Sequence, residues 1–337
     1  PTYADVGYNI DTLADGTKLA TIDSLGSQAN RLEPIFKSHS IDPSKWLVPQ
    51  LTITLREGVD VSVLDLAHRG ADAVVMSSPG LRALVEPAFE ALHAKRDAWS
   101  LAALVPTSLV FGVWDSRGGT GEKRPRVIRS IVRAHNVEPL HTAAQYNSIW
   151  KQLDDTSKDD LQKEAKKKKA KLSEQGLADA PSVFRKGVKV HKYVDDAPNP
   201  EARVLGGVLV HGDIERSVTI NLVALRALRG EDTTKTAQIR RYVLGLALLA
   251  ATEEIELFLR EGCLLRYKDE EDSWWEVPRR GEPKDATLPD RSELREWLLA
   301  DGSKPFRDDW PESTTFEFDI REAKKLLAKK AEDVEEA

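Results

Sequence analysis

The spacing of apolar residues changes along the chain, and each change predicts a different secondary-structure element. Residues 17–23 have the pattern of a strand, and the turn that follows offers serine side chains able to cap a helix. Apolar residues three or four apart share one face of that helix: Leu25, Ala29, Leu32 and Phe36. The other side carries Ser27, Asn30 and Arg31, so the helix is expected to expose polar groups.

Three further segments complete the prediction for the first part of the chain. Residues 47–55 alternate enough to form a second strand, and Pro49 places that strand at a sheet edge or at its own start. Residues 81–104 have a helical period that is interrupted near Pro87. Residues 107–114 are continuously apolar, which favours a central strand.

The later part of the chain is predicted to contain strands, one long buried helix and a small mixed region. An extended segment leads on from Val127, and a strand covers residues 206–220. Residues 237–259 form the helix, whose inner side consists of Ile239, Val243, Leu246, Ala250 and Ile255. Short apolar runs then precede a charged terminal helix. Because no glycine fingerprint accompanies the strands and helices, an α+β fold is favoured over a doubly wound sheet.

Composition indicates a globular protein with a sizeable core. Of its 337 residues, 41% are apolar, and the best candidate for a membrane span, residues 242–255, is short and contains two glutamates. The single cysteine, Cys263, excludes an internal disulfide framework and a cysteine-cluster metal site. A cytoplasmic protein without membrane contact fits this composition. Since the chain begins with Pro1, we expect a leading segment to precede it.

Charge is distributed unevenly. The net charge is −6, yet residues 251–337 hold 15 basic and 25 acidic residues, whereas residues 1–250 hold 34 basic and 30 acidic ones. One stretch is strongly cationic and has Glu122 as its one acidic residue: Arg117, Lys123, Arg124, Arg126, Arg129 and Arg133. If these side chains cluster in space, they suffice to bind phosphates.

Two long motifs resemble one protein family. Ser27–Arg31 form a serine-glutamine-alanine-asparagine-arginine run after the first strand. Phe111–Ser116 form a phenylalanine-glycine-x-tryptophan-aspartate-serine run that precedes glycines and Lys123. In this order they resemble the backbone subunit of the type I-G (formerly type I-U) CRISPR surveillance complex, a member of the RAMP superfamily. The likeness extends from Pro1 to about Leu265.

The resemblance implies a ferredoxin-like, RRM-type palm with helical finger insertions and a thumb-like hairpin. Together with the distribution of charge along the chain, it predicts four segments. Residues 1–150 hold the first part of the palm, with inserted helices and the basic glycine-rich loop, and residues 151–200 form a charged, lysine-rich insertion. Residues 201–265 complete the palm, and residues 266–337 form a small acidic C-terminal region.

The resemblance also implies a non-catalytic subunit that coats guide RNA through phosphate and ribose contacts, while base pairing supplies sequence specificity. Implied partners are the guide RNA, target DNA, further copies of the chain in a filament, a fused end-cap and RNA-processing subunit, and the large subunit. A helicase-nuclease is recruited for cutting, and no cofactor or metal is expected. The alternatives are a RAMP-type endoribonuclease that cleaves precursor or target RNA, and a charged scaffold without an RNA function.

Candidate RNA contacts lie in the two motifs and in the basic loop. They are Ser27, Gln28, Asn30, Arg31, Arg117, Gly118, Gly119, Thr120, Lys123, Arg124 and Arg126. Polar side chains near a helix end can hold phosphate oxygens, and glycines let backbone amides approach a phosphate. An ordinary capped helix and a flexible hairpin loop explain the same residues without RNA.

Other kinds of site find less support. Residues 118–123 are glycine-rich before a lysine, but the glycine-lysine-serine/threonine ending of a phosphate-binding NTPase loop is missing. Asp23 and Asp115 stand at strand ends without an adjacent carboxylate or histidine, so capping or turn formation explains them better than metal-dependent cleavage. The seven histidines lack metal-ligand spacing.

Two remaining features have a structural and a functional explanation each. The charged segment 154–177, with its lysine run at residues 163–171, predicts an exposed helix, which is either a solvated face or a surface that holds DNA. Trp274 and Trp275 either stack on bases or serve packing, with one ring in the core and the other at a subunit contact.

Overall fold

The protein is described from a computed structural model. The structure describes residues 2–3, 7–115, 122–142, 149–170, 172–175, 177, 204–268, 274–277, 282 and 284–326. Contacts divide the chain into two compact units, each made of two separate segments. Unit 1 consists of Pro1–Ser24 and Ile131–Ser217, and unit 2 consists of Leu25–Ser130 and Val218–Ala337.

The elements are numbered in chain order. The α-helices are α1 Leu25–Leu32, α2 Ala73–Met76, α3 Pro79–Lys95, α4 Trp99–Leu104, α5 Thr107–Val110, α6 Asp155–Lys168, α7 Leu222–Ala227, α8 Thr233–Thr252 and α9 Arg291–Trp297. The strands are β1 Thr2–Tyr3, β2 Gly7–Tyr8, β3 Ile10–Thr12, β4 Lys18–Asp23, β5 Thr52–Arg56, β6 Val59–Ser62, β7 Val113–Asp115, β8 Glu122–Arg124, β9 Ile128–His135, β10 Val137–Thr142, β11 Val204–Val210, β12 Ile214–Ile220, β13 Phe258–Arg260, β14 Cys263–Leu264, β15 Glu276–Val277, β16 Lys284–Asp285 and β17 Thr315–Glu317.

Unit 1 is built on a sheet with the strand order β12-β9-β4-β3. Strand β4 runs antiparallel to both β3 and β9, with Thr21 opposite Arg133. The strand predicted for residues 17–23 is confirmed by β4. The chain passes from unit 2 into unit 1 within β9 and returns within β12.

Strand β9 alternates strictly between buried and outward positions. Its buried side chains are Ile128, Ser130, Val132 and Ala134. The outward row of β9 consists of Arg129, Ile131, Arg133 and His135. Since neighbouring side chains on a strand point to opposite faces, one side of β9 serves packing and the other presents cationic and imidazole groups.

Strands β10 and β11 form an antiparallel ribbon in unit 1, with a register shift between Leu140 and His141. The backbone N–H of Gly207 donates to Tyr8 Oη at 2.6 Å, which ties the ribbon to the N-terminal segment. The single strand predicted for residues 206–220 is therefore wrong. The chain turns at residues 211–213, where the backbone N–H of His211 donates to the carbonyl of Asn136 at 2.9 Å, so that two strands result.

Unit 2 contains the main hydrophobic core, to which α3, α4 and α8 contribute many of the buried side chains. Helix α8 begins after Asp232, whose side chain accepts a hydrogen bond from the backbone N–H of Lys235, and it buries Tyr242 completely. The long buried helix is thus confirmed, although it ends at Thr252, so Ile255 lies beyond it.

The C-terminal segment belongs to this same core. Strand β17 pairs in parallel with β5, which pairs antiparallel with β6, so β5 is the central strand of a three-stranded sheet. Phe306 is fully buried and packs on Tyr242 and Trp99, with ring centroids 4.8 Å and 4.5 Å away. Residues 320–326 are helical and charged, as predicted for the terminal helix. The division into four segments stays a prediction.

The continuous strand predicted for residues 107–114 is wrong. Residues Thr107–Val110 form α5, and β7 starts only at Val113, after a turn at Gly112. A short apolar run does not distinguish a buried helix from a buried strand, and here the backbone N–H of Phe111 bonds the Thr107 carbonyl in a helical pattern.

Of the two prolines used in the prediction, one lies where it was not expected. Pro87 lies inside α3, and the helical segment is interrupted instead at Arg96, which has a left-handed backbone with φ 57° and caps the helix. Pro49 agrees with the second of its two predicted places, the start of a strand, since it lies shortly before β5, which begins at Thr52 and is central.

The fold is α+β, as predicted from the sequence. The RRM-type palm with finger insertions and thumb stays a prediction. Among the described residues, no helix combines the length and the apolar character that crossing a membrane requires.

Candidate nucleic-acid interface

The candidate side chains of helix α1 differ in their exposure to solvent. Asn30 is exposed, while Ser27 and Arg31 are half-buried. Arg31 Nη2 donates to the carbonyl of Leu259 in β13 at 2.6 Å. Gln28 is fully buried, and its Oε1 accepts a hydrogen bond from Ser130 Oγ at 2.7 Å. The expectation that Gln28 is exposed to a ligand is therefore corrected, because this side chain joins α1 to β9 within unit 2.

The second motif forms the antiparallel hairpin β7–β8, in which Trp114 pairs with Lys123. Trp114 is exposed. The loop between the strands, with Arg117, Gly118, Gly119 and Thr120, lies outside the described residues, and of Lys123 only the backbone is described. The hairpin thus places an exposed aromatic ring on β7 opposite the lysine of β8, which follows the basic loop. Sequence reasoning missed Trp114, although its place in the motif beside basic residues was a usable signal.

Two other candidate cations hold main-chain carbonyls. Arg124 Nη2 donates to the carbonyl of Leu92 at 3.4 Å, and Arg126 Nε donates to the carbonyl of Phe111 at 3.0 Å. Both side chains are half-buried, and burial lowers the pKa of Arg126, with further lowering by the nearby Arg69 and Arg129. These arginines therefore have a structural task at the base of the hairpin.

Gly112 makes the turn before β7 possible. Its φ is 78°, a left-handed conformation, and a Cβ at this position would lie 2.9 Å from the Arg124 carbonyl oxygen and from Arg126 Cγ. Only glycine adopts this backbone without strain and leaves that space free.

A buried ion pair lies beneath the turn. Arg69 Nε is 2.7 Å from Glu33 Oε2, and the two side chains are 6% and 1% exposed. The same guanidinium donates to the Gly112 carbonyl at 3.3 Å and to Asn30 Oδ1 at 3.4 Å, and it lies 5.3 Å from the centre of the Phe111 ring. Sequence reasoning missed Arg69 and Glu33, since nothing in their local patterns indicates that they meet.

Burial raises the pKa of Glu33 to about 7, against the opposing attraction of Arg69. The negative charge of Asp65 raises the pKa of Glu33 slightly further. Asp65 itself forms an ion pair with Lys37 at 2.6 Å. The carboxyl of Glu33 therefore holds its proton in the folded protein at pH values where the unfolded chain has lost it.

We expect the free energy of unfolding to fall as the pH rises from about 4.5 to about 7, because in this window the folded state binds one proton more than the unfolded state. The contribution of Glu33 is on the order of 3 kcal/mol across the window. Urea unfolding across this pH range, for the wild type and for Glu33→Gln, measures it. In Glu33→Gln the part of this fall that comes from Glu33 should be absent. If the free energy of unfolding changes with pH in the same way for both proteins, Glu33 titrates like an exposed carboxyl.

The outward row of β9 adds cationic side chains that the candidate set omitted. Arg129 is exposed in unit 2, and Arg133 is half-buried in unit 1. In unit 1, His135 Nε2 lies 3.7 Å from Glu215 Oε2. The alternation of isoleucine, serine, valine and alanine with these residues was readable from the sequence as a strand with one polar side.

Helix α6 confirms the exposed helix predicted for the lysine-rich segment. Its N-terminal cap is Asp154, whose side chain accepts from the backbone N–H of Ser157. It buries none of the side chains described. Lys168 and Glu164 form an exposed pair at 3.0 Å. Such surface pairs contribute little to stability. The two explanations of this exposed helix, a solvated face and a surface that holds DNA, stay predictions.

The tryptophan pair is divided between the core and the surface. Trp275 packs against the core of unit 2, whereas Trp274 is exposed. Asp23 is buried, and the side chain of Asp115 lies outside the described residues. Within the residues that the structure describes, no group of three histidine, cysteine or acidic side chains is arranged to hold a metal ion.

Residues 1–139 match the family of CRISPR-associated protein GSU0053. The matched range, which is less than half of the chain, contains α1, the hairpin β7–β8, β9 and the Glu33–Arg69 pair. No curated protein matches this chain. The family match supports a CRISPR-associated, RAMP-like protein with a role in CRISPR defence.

Proposed function

We propose that this protein is a non-catalytic subunit that coats the guide RNA of a type I-G CRISPR surveillance complex. The observation that carries the proposal is the hairpin β7–β8, which presents exposed Trp114 opposite Lys123 within the range that matches the CRISPR-associated family. An aromatic ring beside a cationic strand is the combination that binds single-stranded nucleic acid without reading its sequence.

The chemistry of the surrounding groups supports contacts with the RNA backbone. Asn30 offers an amide at the end of α1, and Arg129 offers an exposed guanidinium on β9. Arginine and asparagine side chains bind phosphate and sugar oxygens, which carry no sequence information. Sequence specificity then comes from base pairing between the guide and the target DNA.

The proposal includes the assembly around the guide. Further copies of the chain bind along the same RNA as a filament, together with a fused end-cap and RNA-processing subunit and the large subunit. Target DNA pairs with the coated guide, and a helicase-nuclease is recruited to cut it. The complex works in the cytoplasm, and this chain supplies no cofactor or metal.

The purified protein should bind single-stranded RNA with little sequence preference and with strong salt dependence. Each phosphate neutralised contributes about −0.7 to the slope of log affinity against log salt concentration. Fluorescence anisotropy with labelled RNAs of unrelated sequence, across a salt series, measures both properties. An affinity that hardly changes with salt, or that depends on one RNA sequence, would contradict the proposal.

Two controls separate this function from its alternatives. Labelled precursor and target RNAs are incubated with the protein with and without magnesium. Cutting that disappears in Asp23→Ala or Asp115→Ala would replace the proposal with a RAMP-type endoribonuclease. Nucleic acid extracted from the purified protein is run on a gel, and protein that neither carries nor binds nucleic acid is a scaffold without an RNA function.

A further inference from the structure

We infer that Arg69 is a positioning residue that holds helix α1 and the base of the hairpin β7–β8 in one fixed arrangement for binding RNA. We call Arg69 and its four partners, Glu33, Asn30, Phe111 and Gly112, the Arg69 clamp. Its mechanical part rests on the contacts alone, whereas its effect on RNA binding rests on the proposed function.

The three nitrogens of the Arg69 guanidinium contact different parts of the fold. Nε faces Glu33, at the residue after α1, at 2.7 Å. Nη2 donates to Asn30 Oδ1 within α1 at 3.4 Å. Nη1 donates to the carbonyl of Gly112, directly before β7, at 3.3 Å. One planar group therefore spans the two motifs, which are far apart in sequence, and a guanidinium has the fixed fork of donors that this requires.

The backbone of Arg69 is specialised for this place. Its φ is 55°, a left-handed conformation that residues other than glycine adopt rarely, and its side chain is almost fully buried. The next residue, Gly70, donates its backbone N–H to Ser108 Oγ at 3.2 Å, and a Cβ on Gly70 would lie 2.8 Å from Val105 Cγ2. A strained backbone persists where the surrounding contacts over-determine it, as these do.

Two arginines hold the backbone of the hairpin at the clamp. Arg69 holds the Gly112 carbonyl, and Arg126 Nε holds the neighbouring Phe111 carbonyl at 3.0 Å. Trp114 follows two residues later. The exposed amide of Asn30 is fixed by the same guanidinium, so two groups of the proposed RNA surface take their positions from Arg69.

A purely structural ion pair and a positioning clamp predict different results when both charges are removed. Removing one partner leaves a buried charge unpaired and destabilises the protein strongly, whereas replacing both with apolar residues of similar size is often close to neutral. The double variant Glu33→Leu/Arg69→Met therefore keeps the core filled while it removes the bonds to Gly112 and Asn30.

The test compares this double variant with Arg82→Met/Glu322→Gln, which removes an ion pair of 2.8 Å elsewhere in unit 2. Three quantities are measured on each full-length protein: melting temperature, amide hydrogen exchange by mass spectrometry, and affinity for a labelled single-stranded RNA. We expect the clamp variant to exchange about tenfold faster in α1 and in β7 and β8, the equivalent of about 1.4 kcal/mol of local stability. Its RNA affinity should fall about tenfold, and the control variant should change neither property.

The outcomes separate the clamp from the proposed function. If the clamp variant keeps wild-type exchange in α1 and the hairpin, Arg69 is a structural partner of Glu33 only and the inference is overturned. If exchange rises while the wild-type protein binds no RNA, the proposed function fails and the clamp stands as a mechanical device. Should the double variant fail to fold, Arg69→Lys is the second variant. It keeps a charge for Glu33 without the fork of donors, and slow exchange in its hairpin would equally overturn the inference.

Discussion

Replacing Phe306 with alanine is expected to lower the free energy of unfolding of unit 2 by about 3–5 kcal/mol. The side chain is fully buried between Tyr242 and Trp99, so the substitution removes apolar contact area and leaves a cavity among large rings. Tyr242 stacks on Phe306 and donates from its Oη to the Leu47 carbonyl at 2.6 Å, so the cavity lies beside a buried hydrogen bond. Thermal unfolding should show the midpoint lower by roughly 6–20 °C.

The matched control is Phe258→Ala, since Phe258 is the same residue type at 46% exposure on β13. It should change the free energy of unfolding by much less than Phe306→Ala. If the two variants melt alike, residues 304–309 do not contribute to the core of unit 2, and the C-terminal region is the separate small region that composition suggests.

The double variant Trp114→Ala/Arg129→Glu is expected to weaken RNA binding by roughly a hundredfold. Loss of one base-stacking ring costs about 1–3 kcal/mol, and loss of one charge-assisted contact costs about 1.5–3 kcal/mol. Both side chains are exposed in unit 2, so the melting temperature should stay close to that of the wild type. Anisotropy titrations with a single-stranded RNA measure the affinity.

The control combines the same types of change at other exposed positions, in Trp274→Ala/Lys166→Glu. We expect this variant to keep its guide RNA affinity and to alter, at most, the capture of DNA by helix α6. If the control loses RNA binding while the hairpin variant keeps it, the RNA surface lies around α6 and Trp274, and our assignment of the hairpin is wrong.

Local pattern predicted much of the fold and failed where tertiary contacts decide. Strand β4, helices α1, α6 and α8, and the extended segment at β9 follow from periodicity and capping residues. The strand predicted for residues 107–110 is wrong because a buried apolar run has no period of its own. The turn at Gly112 packs against the Arg124 carbonyl and against Arg126, which follows β8, and local pattern does not show that contact. The interruption predicted near Pro87 is wrong, since Pro87 lies inside α3 and the helix ends at Arg96.

The candidate site was predictable as a region and less so as individual side chains. Both motifs supply exposed groups, Asn30 from the first and Trp114 from the second. Burial of Gln28 depends on Ser130, which is remote in sequence, so a helical wheel could not show it. Arg69 has no signal in its own neighbourhood, because its role exists only once Glu33 and Gly112 have come together.

The parallel pairing of β17 with β5 has a consequence for the synthesis of the protein. Thr315 is the partner of Thr52, so β5 cannot pair with β17 until nearly the whole intervening chain has been translated. At about 5–20 residues per second, this delay is on the order of tens of seconds. Until then β5 has only its hairpin partner β6, and its other edge exposes unpaired backbone groups to any passing strand. An exposed strand edge is a template for pairing with another chain, so we expect exchange of β17 between nascent copies to be the characteristic folding error of this protein.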